Sequence, residues 1–319
     1  MGIQHRVLGT TGLSVTSLCF GTSGLGSLPA VYGYAVDDAT AAQTLKTIFD
    51  SPINHIDTAN CYGQSEQRIG RALAEMGGLP KGFVLSTKAD PDPQTGEYSA
   101  ARVRVSIEQS LERLGLDHLQ LVYLHDPEKI GWDQAMDAGG PVEGLVELQQ
   151  SGVIDHLGVG GSPVDLMRRF AASGHFEVIL THNRYTLLER SAEPLIADCH
   201  QAGIAVINGA PFGSGILGRG PKASPMYAYR RAPDEVLLRA ERLQADCEAF
   251  GVPLAAAALQ FSMRDPRIAS TLVGVTKAAR IASNIDLANW PIPAELWDRL
   301  EPVTAAQANW LAWDGPDEG

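Results

Sequence analysis

Short apolar runs alternate with longer stretches whose apolar residues recur at helical spacing, and this order holds along nearly the whole chain. The runs at 17–20, 53–57, 83–87, 119–124, 156–159, 177–180, 205–208 and 270–273 are near-continuously apolar, the pattern of strands covered on both faces. Between them, 38–49, 66–76, 100–114, 142–150, 164–172, 192–202 and 235–250 read as amphipathic helices, several opened by a capping Asp or Ser and closed by Gly. Ahead of the first unit, 5–8 and 13–15 flank Gly9-Thr10-Thr11-Gly12 and predict a small β-hairpin.

Each helix carries the chain back before the next strand begins, so neighbouring strands run parallel. Eight such units predict an α/β fold, a (β/α)8 TIM barrel with an N-terminal β-hairpin. No linker, low-complexity run or charge block divides the chain, so one domain over 1–319 is expected. An open doubly wound sheet is the alternative. It wants a nucleotide fingerprint that runs straight into a helix, and Gly21-Thr22-Ser23-Gly24-Leu25-Gly26 has no helical pattern directly behind it.

Composition narrows the partners more than the fold. The 319 residues carry 37 acidic against 25 basic side chains, a net charge of −12, with no basic cluster denser than Arg168-Arg169 or Arg230-Arg231. That speaks against nucleic acid and anionic membrane surfaces as partners. No uncharged apolar stretch reaches the roughly 18 residues needed to span a bilayer, and no basic segment leads into an apolar run behind Met1. Cys19, Cys61, Cys199 and Cys247 form no CxxC pair, which fits buried thiols in a reducing compartment. A cytoplasmic protein is expected, with its oligomeric state left open.

In such a barrel the site is built at the C-terminal ends of the strands. Asp57 ends the second strand in Asp57-Thr58-Ala59-Asn60-Cys61-Tyr62-Gly63, Lys88 follows the third, and His125 follows the fourth. These strands are neighbours, so the four side chains of Asp57, Tyr62, Lys88 and His125 can converge. Their types suit proton transfer to an alkoxide. A nearby lysine cation should bring the phenol of Tyr62 down from its usual value near ~10, with Asp57 holding Lys88 charged and His125 donating a hydrogen bond to the substrate oxygen. No side chain supplies a hydride, so a nicotinamide cofactor is implied.

Asp57-Thr58-Ala59-x-x-Tyr62-Gly63, with Ser65-Glu66 and Gly70 behind it, then Ser86-Thr87-Lys88 and Leu124-His125, resembles the linked signature of the aldo-keto reductases. The resemblance runs from the hairpin to about residue 288. It implies the barrel, the Asp57/Tyr62/Lys88/His125 tetrad and NAD(P)-dependent carbonyl or alcohol chemistry. It also implies cofactor residues: Gly21 on the first loop, and Ser162 with Asn183, or alternatively His182, at the nicotinamide. Here Pro163 stands where the family has Asn, and His182-Asn183 near where it has Gln. Phe212, Gly213, Ser214, Gly215, Leu217 and Gly218 resemble the loop over the pyrophosphate, where glycines let backbone N–H groups approach an anion. Gly274, Thr276, Lys277, Arg280 and Asn284 resemble the segment at the adenosine end, with NADP slightly preferred over NAD.

Arg184-Tyr185-Thr186-Leu187-Leu188, Ser214-Gly215-Ile216-Leu217, Ala256-Ala257-Ala258-Leu259-Gln260-Phe261 and His125-Asp126-Pro127-Glu128 are similar to the branch of aldose 1-dehydrogenases (L-fucose, D-arabinose and L-galactose types) and pyridoxal 4-dehydrogenase. The resemblance implies oxidation of a lactol to a lactone, or the related pyridoxal oxidation, with a small sugar or aldehyde as substrate. NADPH-dependent reduction of general aldehydes and ketones is the alternative, and a cofactor-sensing binding subunit a further one. Aromatic faces suit sugar or pyridine rings, which marks Tyr32-Gly33-Tyr34, Ile130-Gly131-Trp132, residues 226–231 and the tail with Trp310 and Trp313 as candidate specificity segments, Tyr32 and Trp132 first. A Schiff-base lyase would use Lys88 as nucleophile and need it uncharged, which an Asp57 partner opposes. No HxH or HExxH pattern supports a metal.

Overall fold

Two antiparallel strands, His5–Val7 and Ser14–Thr16, form the hairpin, with His5 opposite Thr16. The chain is seen as a computed structural model that describes residues 2–305. Leu8 and Val15, at the hairpin's turn end and second strand, are fully buried. Gly9 sits at φ +52, where a Cβ would stand 2.5 Å from the Gly203 carbonyl oxygen, so only glycine lets the turn press this close. Arg6 reaches from the hairpin to the carbonyls of Met263, Asp265 and Ile268.

The eight barrel strands are β1 (Leu18–Gly21), β2 (His55–Asp57), β3 (Val84–Ala89), β4 (Leu119–His125), β5 (Ile154–Gly161), β6 (Val178–His182), β7 (Ala205–Gly209) and β8 (Ile268–Gly274). All pair in parallel in sequence order, and β8 closes on β1 through Thr271 opposite Leu18. The connecting helices begin and end on the expected signals. Asp37 caps Asp38–Phe49 by accepting from the Thr40 backbone N–H at 2.7 Å, and Ala100–Leu114 starts on Ser99 and stops on a left-handed Gly115. The last crossover uses two helices, Asp234–Ala249 and Leu254–Met263.

Side chains alternate across each strand, and the inward set changes character from bottom to top. Val84, Leu121, Val178, Ala205 and Ile207 pack with Leu8 and Val15 in an interior core, while Ile56, Val122, Leu124, Ile179 and Val206 face the helices. Following the same inward rows upward gives Val84–Ser86–Lys88, Leu121–Tyr123–His125, Val178–Leu180–His182 and His55–Asp57. A period of two therefore delivers the apolar floor and the polar top from the same strands.

Candidate active site

Asp57, Tyr62, Lys88 and His125 line one cavity of about 620 Å³ at the C-terminal mouth of the barrel. Lys88 is buried and ion-paired with Asp57, and its Nζ also donates to the Thr58 carbonyl at 2.6 Å. Ser86 Oγ donates to the second Asp57 oxygen at 2.9 Å, so the carboxylate is satisfied on both sides. The Lys88 ammonium lies 4.8 Å from the centroid of the Tyr62 ring. Tyr62 and His125 meet edge to face with centroids 5.8 Å apart.

Tyr62 sits on the turn between β2 and the helix Ser65–Met76, where the loop after β1 crosses it closely. A Cβ on Gly26 would stand 2.0 Å from the Tyr62 carbonyl oxygen, so this crossing requires glycine. The expected fall in the Tyr62 pKa is not what the geometry gives. Burial, then Asp57, Cys61, Asp126 and Asp90, pushes the phenol well above its ordinary value. Lys88, the expected source of a fall, is ion-paired with Asp57 and lies 4.8 Å from the centre of the Tyr62 ring.

His125 is held by groups that sequence reasoning did not single out. Its Nδ1 pairs with Asp90 at 2.6 Å, and its backbone N–H donates to Tyr98 Oη at 2.9 Å. Asp90 in turn accepts from the Cys61 backbone N–H at 2.9 Å, which ties the β3 end to the Tyr62 turn. Burial opposes charge on the imidazole, but Asp126 and Asp90 outweigh it and lift its pKa well above 6.5. The usable nitrogen is then Nε2, a donor facing the cavity end. Asp90 stands two residues beyond Lys88 in strand register, the one signal that could have marked it.

The neighbouring wall carries more charge. Asp126 adopts φ 46, ψ 54 and places Oδ1 3.6 Å from His125 Nε2 and Oδ2 3.1 Å from Lys129 Nζ. Glu128 Oε1 accepts from the Ser162 backbone N–H at 3.1 Å, and burial followed by Asp126 pushes its carboxyl up to about 7. Arg184 donates to Ser162 Oγ at 3.1 Å and pairs with buried Glu189 at 3.2 Å, fixing the β5 and β6 loops to one another.

Of the other candidates, Gly21, Ser162, Asn183, His182 and Gly274 line the same cavity, as do Ala228, Tyr229 and Arg230 of the segment 226–231. Phe212, Gly213, Ser214, Gly215, Leu217 and Gly218 lie on the loop beyond it, where Ser214 Oγ accepts from the Tyr229 backbone N–H at 2.7 Å. Thr276, Lys277, Arg280 and Asn284 follow β8 outside the cavity; Lys277 and Arg280 are exposed and Asn284 is buried. Trp132 does not line the cavity: its ring packs at 5.0 Å and a 44° tilt against Phe170 with the Arg169 guanidinium 4.4 Å above it, because the short helix Gly131–Met136 turns it onto the neighbouring helix. Tyr32 lies in the short helix Pro29–Tyr32, and Trp310 and Trp313 lie outside the described residues.

The cavity also fits a flat amide-bearing ring. Gly21, Gly160, Gly209 and Gly274 bring bare backbone to its wall, and a Cβ on Gly274 would meet only open space. Asn183 Oδ1 is buried with no hydrogen-bond partner among the described residues, while its Nδ2 lies 3.1 Å from His182 Nδ1. An orphaned acceptor on the cavity wall that also carries Ser162 matches the donor of a carboxamide.

The chain belongs to the aldo/keto reductase family, whose sequence model matches residues 17–305. It is an NAD(P)-dependent oxidoreductase. It is 32% identical over 329 positions to D-threo-aldose 1-dehydrogenase of Pseudomonas sp, covering 94% of this chain and 97% of that one. Pyridoxal 4-dehydrogenase of Microbacterium luteolum is 31% identical, with 93% and 96% covered, and L-galactose dehydrogenase of Arabidopsis thaliana 32%, with 98% and 97% covered. The holo form of the aldo-keto reductase AKR11C1 from Bacillus halodurans superposes with a TM-score of 0.76 at 26% identity, covering 94% of this chain and 96% of that one. Among the described residues no helix is long and apolar enough to cross a membrane.

Proposed function

We propose that the protein is a cytoplasmic, single-barrel aldose dehydrogenase that oxidises a lactol to its lactone, with Tyr62, Lys88, Asp57 and His125 as the reacting constellation. The carrying observation is the buried Asp57–Lys88 pair lying 4.8 Å beneath the Tyr62 ring, with His125 across the same cavity. A nicotinamide held at Ser162 and Asn183 would supply the hydride acceptor for the anomeric carbon. Tyr62 Oη accepts the proton of the anomeric hydroxyl as the carbonyl forms, and His125 Nε2 donates a hydrogen bond to that oxygen and fixes its place. Lys88, lying beside the Tyr62 ring, stabilises the phenolate that takes this proton, and Asp57 holds the ammonium in place through their ion pair. Asp90 is a positioning residue, holding Nδ1 so that Nε2 faces the substrate.

The same reading gives the cofactor residues. Ser162 and Asn183 would hold the carboxamide, Phe212 to Gly218 the pyrophosphate, and Gly274, Thr276, Lys277, Arg280 and Asn284 the adenosine end, with NADP slightly preferred. Support for a sugar comes from relatives named for aldoses that match nearly the whole chain at 32%.

The test is nicotinamide absorbance with NAD+ and NADP+ against D-arabinose, L-galactose and pyridoxal, with NADPH and simple aldehydes in parallel. Reduction of the cofactor by an aldose is expected. The oxidation rate should climb with pH above neutrality, because a phenol with a raised pKa accepts a proton only once it has lost its own; reduction, which uses the protonated phenol, should hold level until the pH approaches that raised value. Turnover of simple aldehydes alone would replace the proposal with general carbonyl reduction.

A further inference from the structure

Asp126 is an unusual residue to find where it stands. Its backbone is left-handed without being glycine, a conformation that persists only where the surroundings enforce it. The enforcement is visible: the Asp126 backbone N–H donates to the Gly160 carbonyl at 2.8 Å, and Pro127 begins a 3-10 turn directly behind it. The result is a carboxylate on the cavity wall, with Lys129 Nζ 3.1 Å from Oδ2 and His125 Nε2 3.6 Å from Oδ1. Burial works against its charge, yet His125 and Lys129 bring the pKa down to about 2, so it stays an acceptor at all working pH values.

We propose that Asp126 Oδ1 is the acceptor for a hydroxyl on the carbon next to the reacting one, so that the enzyme selects sugars bearing a C2 hydroxyl. This rests on the lactol-oxidation reading. His125 Nδ1 is committed to Asp90, so the anomeric oxygen meets Nε2, and among the described residues the carboxylate oxygen paired with Nε2 is Asp126 Oδ1. Oxygens on adjacent carbons of a sugar are separated by about one hydrogen-bond length. An anomeric oxygen on Nε2 thus carries its vicinal hydroxyl into reach of Oδ1. Lys129 holds the other carboxylate oxygen, so the acceptor is oriented before substrate arrives. A substrate without that hydroxyl would leave the enclosed Oδ1 short of a donor, the arrangement that discriminates most strongly.

The experiment compares kcat/KM for D-arabinose and for 2-deoxy-D-ribose, which is the same pentose without its C2 hydroxyl, in the wild-type holoenzyme, Asp126→Asn and Asp126→Ala. Taking the ratio within each variant cancels any change in His125 common to both sugars. The wild type should favour D-arabinose by about tenfold or more, the size of a hydrogen bond to a charged group. Asp126→Asn, which tolerates the left-handed backbone and keeps an acceptor, should retain part of the preference, and Asp126→Ala should bring the ratio close to one. Calorimetric titration of each variant loaded with NADPH, which cannot accept a hydride, gives the same comparison without turnover. A preference that survives Asp126→Ala overturns the assignment while leaving lactol oxidation standing; failure of both sugars and of L-galactose to reduce the cofactor removes the underlying reading as well.

Discussion

At the N-terminal mouth of the barrel, Leu8 and Val15 are buried against inward side chains such as Val84, Leu121 and Ala205, whereas at the C-terminal mouth Asp57, Lys88, His125 and Asp126 surround open space. The backbone differs in the same sense. Of the non-glycine residues with positive φ, Asp126, Asn183, Ala210, Ala228 and Tyr229 line the cavity, and none lies in the hairpin. Strain, charge and unfilled volume are therefore concentrated at one end, and the close-packed end holds the strands that support them. Stability and chemistry are separable along the barrel axis.

The sharpest way to break that separation is Tyr62→Phe. It should lower turnover by about 10²–10⁴-fold while the melting temperature and NADPH affinity hold, since only a proton-transfer group is lost. Near-normal turnover in a folded variant would remove Tyr62 from the proposed chemistry. At the opposite mouth, Leu8→Ala should cost about 2–5 kcal/mol in denaturant unfolding, with kcat per folded molecule unchanged. A drop in kcat of the folded fraction would show that the two ends are coupled. The smallest effect is expected from Gly274→Ala, whose methyl meets open cavity: stability should stay within about 0.5 kcal/mol, while NADPH binding weakens a few-fold in fluorescence titration. Lost stability with unchanged affinity would place Gly274 outside the cofactor wall.

The barrel was legible because its parallel strands are buried on both faces and so announce themselves as apolar runs. The same rule misjudged their upper ends. β3 continues through Lys88 to Ala89 and β4 through His125, beyond the expected stops at 87 and 124, since an inward side chain at the mouth need not be apolar. The four candidate reacting residues stood out as charged or polar groups at neighbouring strand ends. Asp90 and Tyr98, which hold His125, did not: Tyr98 lies on a loop that leaves no periodic trace, and Asp90 continues the inward row of Lys88 only past the end of β3. Trp132 shows the converse: an aromatic at a strand end is equally able to serve a helix contact, and only packing decides which.

The bond from Arg6 to the carbonyls of Met263, Asp265 and Ile268 joins the start of the described chain to its final strand, and β1 has β8 as one of its two neighbours. During synthesis at 5–20 residues per second, β1 waits on the order of tens of seconds for that neighbour to be made. Throughout that interval one edge of the first strand is unpaired and the hairpin has no floor to rest on. A nascent chain of this protein thus exposes an open strand edge, a template for wrong pairing, until β8 has emerged.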